Sequence, residues 1–335
     1  MTQKTPIKEL NANDEGLELA LRPTAWEDYV GQEKIKANLK LIMQAAKGRS
    51  ESCDHLLFCG QAGLGKTTLA YLIGKEMGVN VRATSGPALE KAGDVAAILS
   101  NLEPNEILFI DEAHRINKLV EEVMYPALES RRLHLIIGKG PSARTLTLEL
   151  PPFTLIAATT RTNLISSPLR SRFGAVLRLD YYRLEDVEKI IRRSAEILKI
   201  KIAPEAVVKL ARASRFTPRV ANRLLKRARD YAQVYKRDVI DEEVVQKTLQ
   251  LLEIDKLGLE QTDRDLLTTI IKRFNGGPVG IKAIAAALND EPDAVEEVYE
   301  PFLMSLGFLE RTQLGRIATE AAYKHLGLSS RNTLI

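Results

Sequence analysis

The sequence predicts an α/β domain built on a parallel sheet, followed by a small helical domain and a C-terminal winged helix. Three observations carry that prediction. Apolar runs at 55–60 (HLLFCG), 106–112 (EILFIDE) and 153–160 (FTLIAATT) alternate with helical patterns; near-continuous apolar strands separated by helices mark a parallel sheet covered on both faces. Residues 183–253 carry only helical patterns, each with an apolar stripe and a charged face. Beyond EIDKLGLEQ come three more helical stretches, then a short strand, a turn and a second strand.

The composition permits such an arrangement. A chain of 335 residues has room for two or three domains, and 45% apolar residues support a core and argue against disorder. Two cysteines, Cys53 and Cys59, exclude a disulfide framework and fit a reducing compartment. The four histidines lack metal-ligand spacing. No run approaches the about 20 apolar residues of a membrane span. The polar start MTQKTPIKELNANDEG has no apolar signal region, so a cytoplasmic protein with no membrane partner is expected. The net charge of +4 is mild, but Lys201 to Arg237 holds 11 basic residues against two acidic ones.

Each element has its own signal. In KTTLAYLIGKEM, Leu69, Leu72, Ile73 and Met77 recur at helical spacing, and KLVEEVMYPALES reads as a second helix. Between the second and third apolar strands, Leu133, Leu135 and Ile137 alternate, GKGPS turns, and Leu146, Leu148 and Leu150 alternate again. This is a β-hairpin over about 133–150. It either extends the sheet or forms an exposed apolar ribbon suited to a partner. LEDVEKIIRRSAEIL, PEAVVKLARAS and PRVANRLLKRARDYAQVY supply the helical domain; DRDLLTTIIKRF, IKAIAAAL and AVEEVYEPFLMSLG precede the strands of the wing.

Chemistry is concentrated in the first domain. GQAGLGKT, residues 60–67, satisfies G-x-x-x-x-G-K-[ST] and lies between an apolar strand and an amphipathic helix, the context a phosphate-binding loop requires. Its glycines, Gly63 and Gly65 among them, let backbone N–H groups converge on phosphate oxygens, and the helix N-terminus adds its dipole. Lys66 is expected to reach the β and γ phosphates of ATP, Thr67 to ligate Mg²⁺ and Thr68 to cap the α and β phosphates. In ILFIDEAH, Asp111 holds Mg²⁺ through water and Glu112 orients or deprotonates the attacking water. A helix N-terminal acidic pair is the alternative reading of those two. Thr159 or Thr160, ending the third strand, is placed to bond the γ-phosphate or its water. Arg219, at the first turn of a helix just past Pro218, is placed to meet phosphate.

LRSRF puts Arg170 and Arg172 beyond the last core strand, and a guanidinium stays charged wherever it is placed. An arginine finger supplied to a neighbouring subunit fits Arg172, and it demands a closed ring with active sites between subunits. An interdomain salt bridge is the alternative.

LRPTAWEDYVGQ, GLGKTTLA, TSGPALEKAGDVAAILSNLEPNEILFIDEAHRI, PLRSRFG, TPRVANRLLKRARD, GGPVG and YEPFLMSLGFLERT together resemble the RuvB family, bacterial AAA+ motors that drive branch migration of Holliday junctions. The resemblance runs from about Leu21 to Leu326. It implies an AAA+ P-loop NTPase domain over 1–182, a small helical ATPase domain over 183–254 and a winged-helix DNA-binding head over 255–335. It also implies a homohexameric ring on double-stranded DNA, with RuvA, the junction-binding partner, and RuvC, the resolvase. By similarity, Leu21 and Arg22 line the adenine and ribose side, Gly63, Lys66, Thr67 and Thr68 bind phosphate, and Tyr182 packs near the nucleotide. Glu129 and Arg131 fall on family nucleotide contacts. Arg172 is the finger and Arg219 the second sensor. Arg311 and Arg316 match the wing arginines that touch DNA, and the hairpin resembles the RuvA-docking element.

The sequence departs from the family pattern at Gln61 and Ala62 (two prolines in the family), at Ser130 and Arg131, at Phe216 (a glycine) and at Leu314 (an arginine). The expected recognition helix of the head carries Asp293, Glu296, Glu297 and Glu300, which repel a major groove. Sequence reading is therefore not expected, a transcriptional regulator is disfavoured, and the wing is left as the DNA contact. Residues 201–237 are assigned to subunit contacts, Arg219's site and solvent. An AAA+ loader or initiator-type switch with a winged helix is the alternative function.

Overall fold

The structure, a computed structural model, describes residues 14–137 and 144–329. The chain divides into two compact units, one up to Tyr182 and one from Arg183 onward. The first contains β1 (Leu56–Cys59), β2 (Val81–Ser85), β3 (Ile107–Asp111), β4 (Arg132–Ile137), β5 (Arg144–Glu149), β6 (Thr154–Thr159) and β7 (Ala175–Arg178). Five of these form a parallel sheet in the order β2-β3-β6-β1-β7.

The three central strands are the apolar runs of the sequence. Every residue of β1 and β6 is buried, with Phe58 and Phe109 among the largest fully buried side chains. Helix Lys66–Met77 buries Leu69, Ala70, Leu72 and Ile73. The expected sheet is present, with two further strands. β2 and β7 are its edges, and VRATS and AVLR are only partly buried, so neither forms an apolar run. The order sets the carboxyl ends of β1, β6 and β3 side by side, Cys59 opposite Thr159 and Ile110 opposite Ala157. Ligand sites of open α/β sheets lie at those ends.

β4 and β5 pair only with each other among the described strands, so the hairpin is a separate ribbon and not an extension of the sheet. Leu133 and Leu150 are buried in the core, and Leu135 and Leu148 pack against it. Leu146 is exposed. The GKGPS turn and the side chain of Ile137 lie outside the described residues.

The second unit begins with helices Leu184–Ile197, Pro204–Arg212, Pro218–Val234 and Glu242–Leu251. Pro at the first turn and the Thr217 and Asp241 caps fix where the last two start, since a capping oxygen satisfies an otherwise orphaned N–H. Helices Gln261–Arg273 and Ile281–Leu288 follow, then a helical run over 292–305 whose middle, Val295–Tyr299, is a π-turn. β8 (Leu309–Thr312) and β9 (Gly315–Ala318) form the wing, and helix Glu320–His325 closes the unit. Leu266, Leu267, Ile270, Ile284, Phe302 and Leu303 centre its core.

Candidate nucleotide site and DNA-binding wing

The loop 60–65 connects β1 to helix Lys66–Met77. Gly65 caps that helix at φ 95, and a Cβ there would lie 2.9 Å from the Tyr29 hydroxyl. Both the left-handed backbone and the close approach require glycine. Gly63 also has a positive φ, 80. Lys66 is buried, and its Nζ donates to the carbonyls of Gly60 at 2.7 Å and Gln61 at 2.8 Å. Thr67 and Thr68 occupy the first turn, whose N–H groups lack intrahelical acceptors. The loop is held from behind by two buried phenols. Tyr182 Oη lies 3.2 Å and Tyr29 Oη 3.4 Å from the Leu64 carbonyl oxygen, and the two hydroxyls are 3.3 Å apart. Burial, with Tyr182 beside it, raises the Tyr29 pKa well above the usual phenol value, so it stays neutral. Leu21 is buried, and the Arg22 guanidinium lies 5.4 Å from the centre of the Tyr71 ring on the same helix.

Asp111 ends β3 beside this loop. Thr67 Oγ1 donates to Asp111 Oδ2 at 3.5 Å, while Asp111 Oδ1 accepts the Glu112 N–H at 2.9 Å. Glu112 has φ 48, a strained conformation for a residue with a side chain. Gly86 makes room for it: a Cβ on Gly86 would lie 2.3 Å from the Glu112 carbonyl oxygen. At the end of β6, buried Thr159 Oγ1 lies 3.1 Å from His114 Nδ1 and accepts the Arg161 N–H at 2.9 Å. The neighbouring Thr160 Oγ1 is buried without a hydrogen-bond partner. Of the two threonines, Thr160 therefore has the hydroxyl available for a ligand. A partnerless buried hydroxyl, two hard oxygen donors and a glycine cradle fit a phosphate chain with its divalent cation.

Arg172 follows the short helix Ser167–Arg170, beyond β6 in the chain. Its Nη2 lies 2.7 Å from Glu129 Oε1, its guanidinium is 4.6 Å from the centre of the Tyr125 ring, and Nη1 donates to the Pro168 carbonyl. The salt bridge is within one unit, not between domains. Arg131, left-handed at φ 56, ends the helix that carries Glu129, and both it and Arg170 are exposed. Arg219 is the second residue of helix Pro218–Val234.

The wing arginines differ from each other. Arg311 is exposed and pairs with Glu296 at 3.3 Å. Arg316 is buried, and its Nε and Nη2 both donate to Glu300 Oε2, at 3.1 and 2.9 Å. Glu300 is therefore not part of the acidic outer face expected of that helix; it points into the base of the wing. Leu314 is exposed at the wing's turn.

Sequence reasoning did not single out Tyr29, Gly86 or His114. His114 stood inside the ILFIDEAH motif, and Gly86 before a proline signalled a turn; Tyr29 carried no local signal. A phosphate-binding loop, an acidic strand end, a sheet of order β2-β3-β6-β1-β7, a helical domain and a winged helix define a P-loop ATPase of the AAA+ class with a DNA-binding head. Family models resolve it further: the "Holliday junction DNA helicase RuvB P-loop domain" matches residues 21–179, the "RuvB AAA lid domain" 182–255 and the "RuvB C-terminal winged helix domain" 256–327. The chain belongs to the RuvB family of Holliday junction branch-migration motors. It is similar to the Thermotoga maritima RuvB branch migration motor at 48% identity, over 93% of this chain and 100% of that one, with TM-score 0.87. A threonine-to-valine variant of that protein matches at 47% over 93% and 100%, also with TM-score 0.87.

Proposed function

We propose that this chain is one protomer of a homohexameric ring that hydrolyses ATP and draws duplex DNA by its backbone, driving branch migration with RuvA in the cytoplasm. The observation that carries this reading is the convergence of Lys66, Thr67, Asp111, Glu112 and the partnerless Thr160 hydroxyl beyond the carboxyl ends of the central strands β1, β3 and β6. Gly63, Gly65, Lys66, Thr67 and Thr68 hold the phosphates. Thr67 and Asp111 hold Mg²⁺, which neutralises phosphate charge when bound. Glu112 takes a proton from the attacking water, and Thr160 fixes that water or the γ-phosphate. Leu21, Arg22 and Tyr182 line the base side, and Arg219 reads the phosphates from the helical domain.

Arg172 serves the adjoining protomer's nucleotide, positioned by Glu129 and Tyr125. Glu129 and Arg131, at the end of one helix, are nucleotide contacts by similarity to the family. The ribbon 133–150 docks RuvA, and RuvC joins at the junction. The working division is 1–182, 183–254 and 255–335. Arg311 contacts DNA phosphate, and Arg316 supports the wing that carries it.

Four-way junction movement by the purified chain with RuvA and ATP tests the motor. ATP turnover without junction movement favours a loader-type switch. Mixing Lys66→Ala with Arg172→Ala subunits tests the finger. A mixed ring recovers turnover only if an intact loop meets an intact finger from its neighbour, so no recovery at any ratio rules that arrangement out.

A further inference from the structure

The link between helices Pro204–Arg212 and Pro218–Val234 contains two successive residues in left-handed backbone, Arg215 at φ 54 and Phe216 at φ 52. Non-glycine residues hold that conformation only where their surroundings enforce it. The surroundings here belong to the winged-helix head. Arg215 Nη2 pairs with Asp263 Oδ1 at 3.2 Å, and its guanidinium lies 4.2 Å from the centre of the Phe302 ring. Nη2 also donates to the Val298 carbonyl at 3.4 Å. Asp263 has no exposed surface, and its other oxygen accepts the Glu260 N–H at 2.8 Å at the start of the head's first helix. The Phe216 ring packs on the head's core. A Cβ on Gly258 would lie 2.6 Å from the Ala213 carbonyl, so the backbones also touch.

The other end of this link is the cap of Arg219's helix. Thr217 donates its N–H to Ser214 and accepts that of Val220, and Arg219 follows two residues later. One turn along, Arg223 Nη2 lies 2.6 Å from Glu260 Oε1. Five residues are thus clamped on one side to the head and on the other to the helix that carries Arg219. Burial raises the Asp263 carboxyl above its usual range, while the Arg215 guanidinium and the Glu260 N–H pull it back down. A glycine at 216 would adopt φ 52 without strain, but it would carry no ring to seat on the head.

We propose that Arg215 and Phe216 are positioning residues that make Arg219's helix and the DNA-binding head one lever, so that nucleotide state at Arg219 sets the head's grip on duplex. This rests on the motor reading above. Two seated groups on a strained link leave the joint one stable position, and a rotation of the helix is carried into the wing rather than absorbed.

The test uses the full chain with RuvA, a four-way junction and ATP. Phe216→Ala, which removes the ring without freeing the backbone, and Arg215→Ala are compared with wild type for DNA-free ATPase, for DNA affinity and for junctions moved per ATP consumed. The lever predicts DNA-free ATPase and DNA affinity within about twofold of wild type, with junctions moved per ATP down about tenfold. Arg215→Lys, which keeps the charge but not the planar stacking, should recover part of the loss. An unchanged ratio in folded variants overturns the lever. So does an equal fall in ATPase and junction movement, which signals a misplaced Arg219 alone, or a loss of DNA affinity, which signals a damaged head. Should Arg215→Ala fail to fold, Phe216→Ala, which removes only the seated ring, still decides. If wild type itself moves no junction, the motor reading fails and not the joint.

Discussion

Glu300→Ala removes one half of a buried ion pair. The side chains of Arg316 and Glu300 are 9% and 3% exposed, and two guanidinium nitrogens, at 3.1 and 2.9 Å, donate to one carboxylate oxygen. Deleting the carboxylate leaves a guanidinium in the protein interior without its counter-charge, a change that costs about 3–5 kcal/mol. Arg311, a second cation 3.9 Å from Glu300 Oε1, cannot supply the missing negative charge and is held by Glu296 at 3.3 Å. The damage falls on the wing, where the Arg316 N–H donates to Val279 and the Ala318 N–H to Gly276. At 1.4 kcal/mol per tenfold, those two amides should exchange with solvent about 100- to 3000-fold faster, up to the limit set by global unfolding. Hydrogen exchange resolved at residues 309–318 reads this directly. Replacing both partners, Glu300→Leu with Arg316→Met, should restore most of the protection, because no charge is then buried alone. Arg311→Ala should leave exchange unchanged, yet lower the salt dependence of DNA binding by about one phosphate contact. Exchange in Glu300→Ala within about threefold of wild type would refute the anchoring role of Arg316.

Three further changes probe the nucleotide site and its frame. Thr160→Val removes a hydroxyl that has no partner in the fold; stability to denaturant should hold or rise slightly, while kcat for ATP falls about 100-fold. Gly86→Ala drives a methyl into the Glu112 carbonyl, 2.3 Å away, so kcat should fall with KM for ATP nearly constant in steady-state assays. His55 is partly buried, its Nδ1 accepting the Leu155 N–H at 2.9 Å and its Nε2 facing the Leu128 carbonyl at 3.3 Å, which fixes the neutral ring. Burial lowers its pKa below the usual 6.5, so the unfolded chain takes up the proton first. The stability contributed by the neutral ring is complete above that value and is lost as pH falls toward the lowered one. Denaturant midpoints measured between pH 7.5 and 5.5 should decline, and less steeply in His55→Asn.

The central strands could be read because burial on both faces leaves an apolar run in the sequence. The edges β2 and β7 could not, because their mixed burial leaves none. The phosphate loop was legible since its parts are contiguous. Tyr29 and Gly86 were not, because their roles exist only where distant segments meet: Ser85 pairs with Asp111, and that register alone sets Gly86 against Glu112. Arg172 announced itself as a cation among apolar residues, but nothing local named Glu129 as its partner. Glu300 was read as surface charge by helical spacing with Asp293, Glu296 and Glu297. The π-turn Val295–Tyr299 inserts a residue's worth of rotation and turns Glu300 inward, away from that face.

Strain follows function in this molecule. Glu112 is left-handed yet well satisfied: its N–H donates to Asp111 at 2.9 Å, and its carbonyl accepts the Arg115 N–H at 2.9 Å. Its backbone is thereby fixed by neighbours, and its carboxylate, paired with Arg115 at 3.2 Å, hangs from a rigid base. Arg215 and Phe216 are held by side chains instead, an ion pair, a stacked guanidinium and a seated ring. Backbone hydrogen bonds and close packing suit a group that must stay still while water is activated. Side-chain contacts between separate helices suit a joint that must carry motion without bending. Glu112 and the link therefore share one kind of backbone and differ in what enforces it, which is the difference the two proposed roles, chemistry and transmission, require.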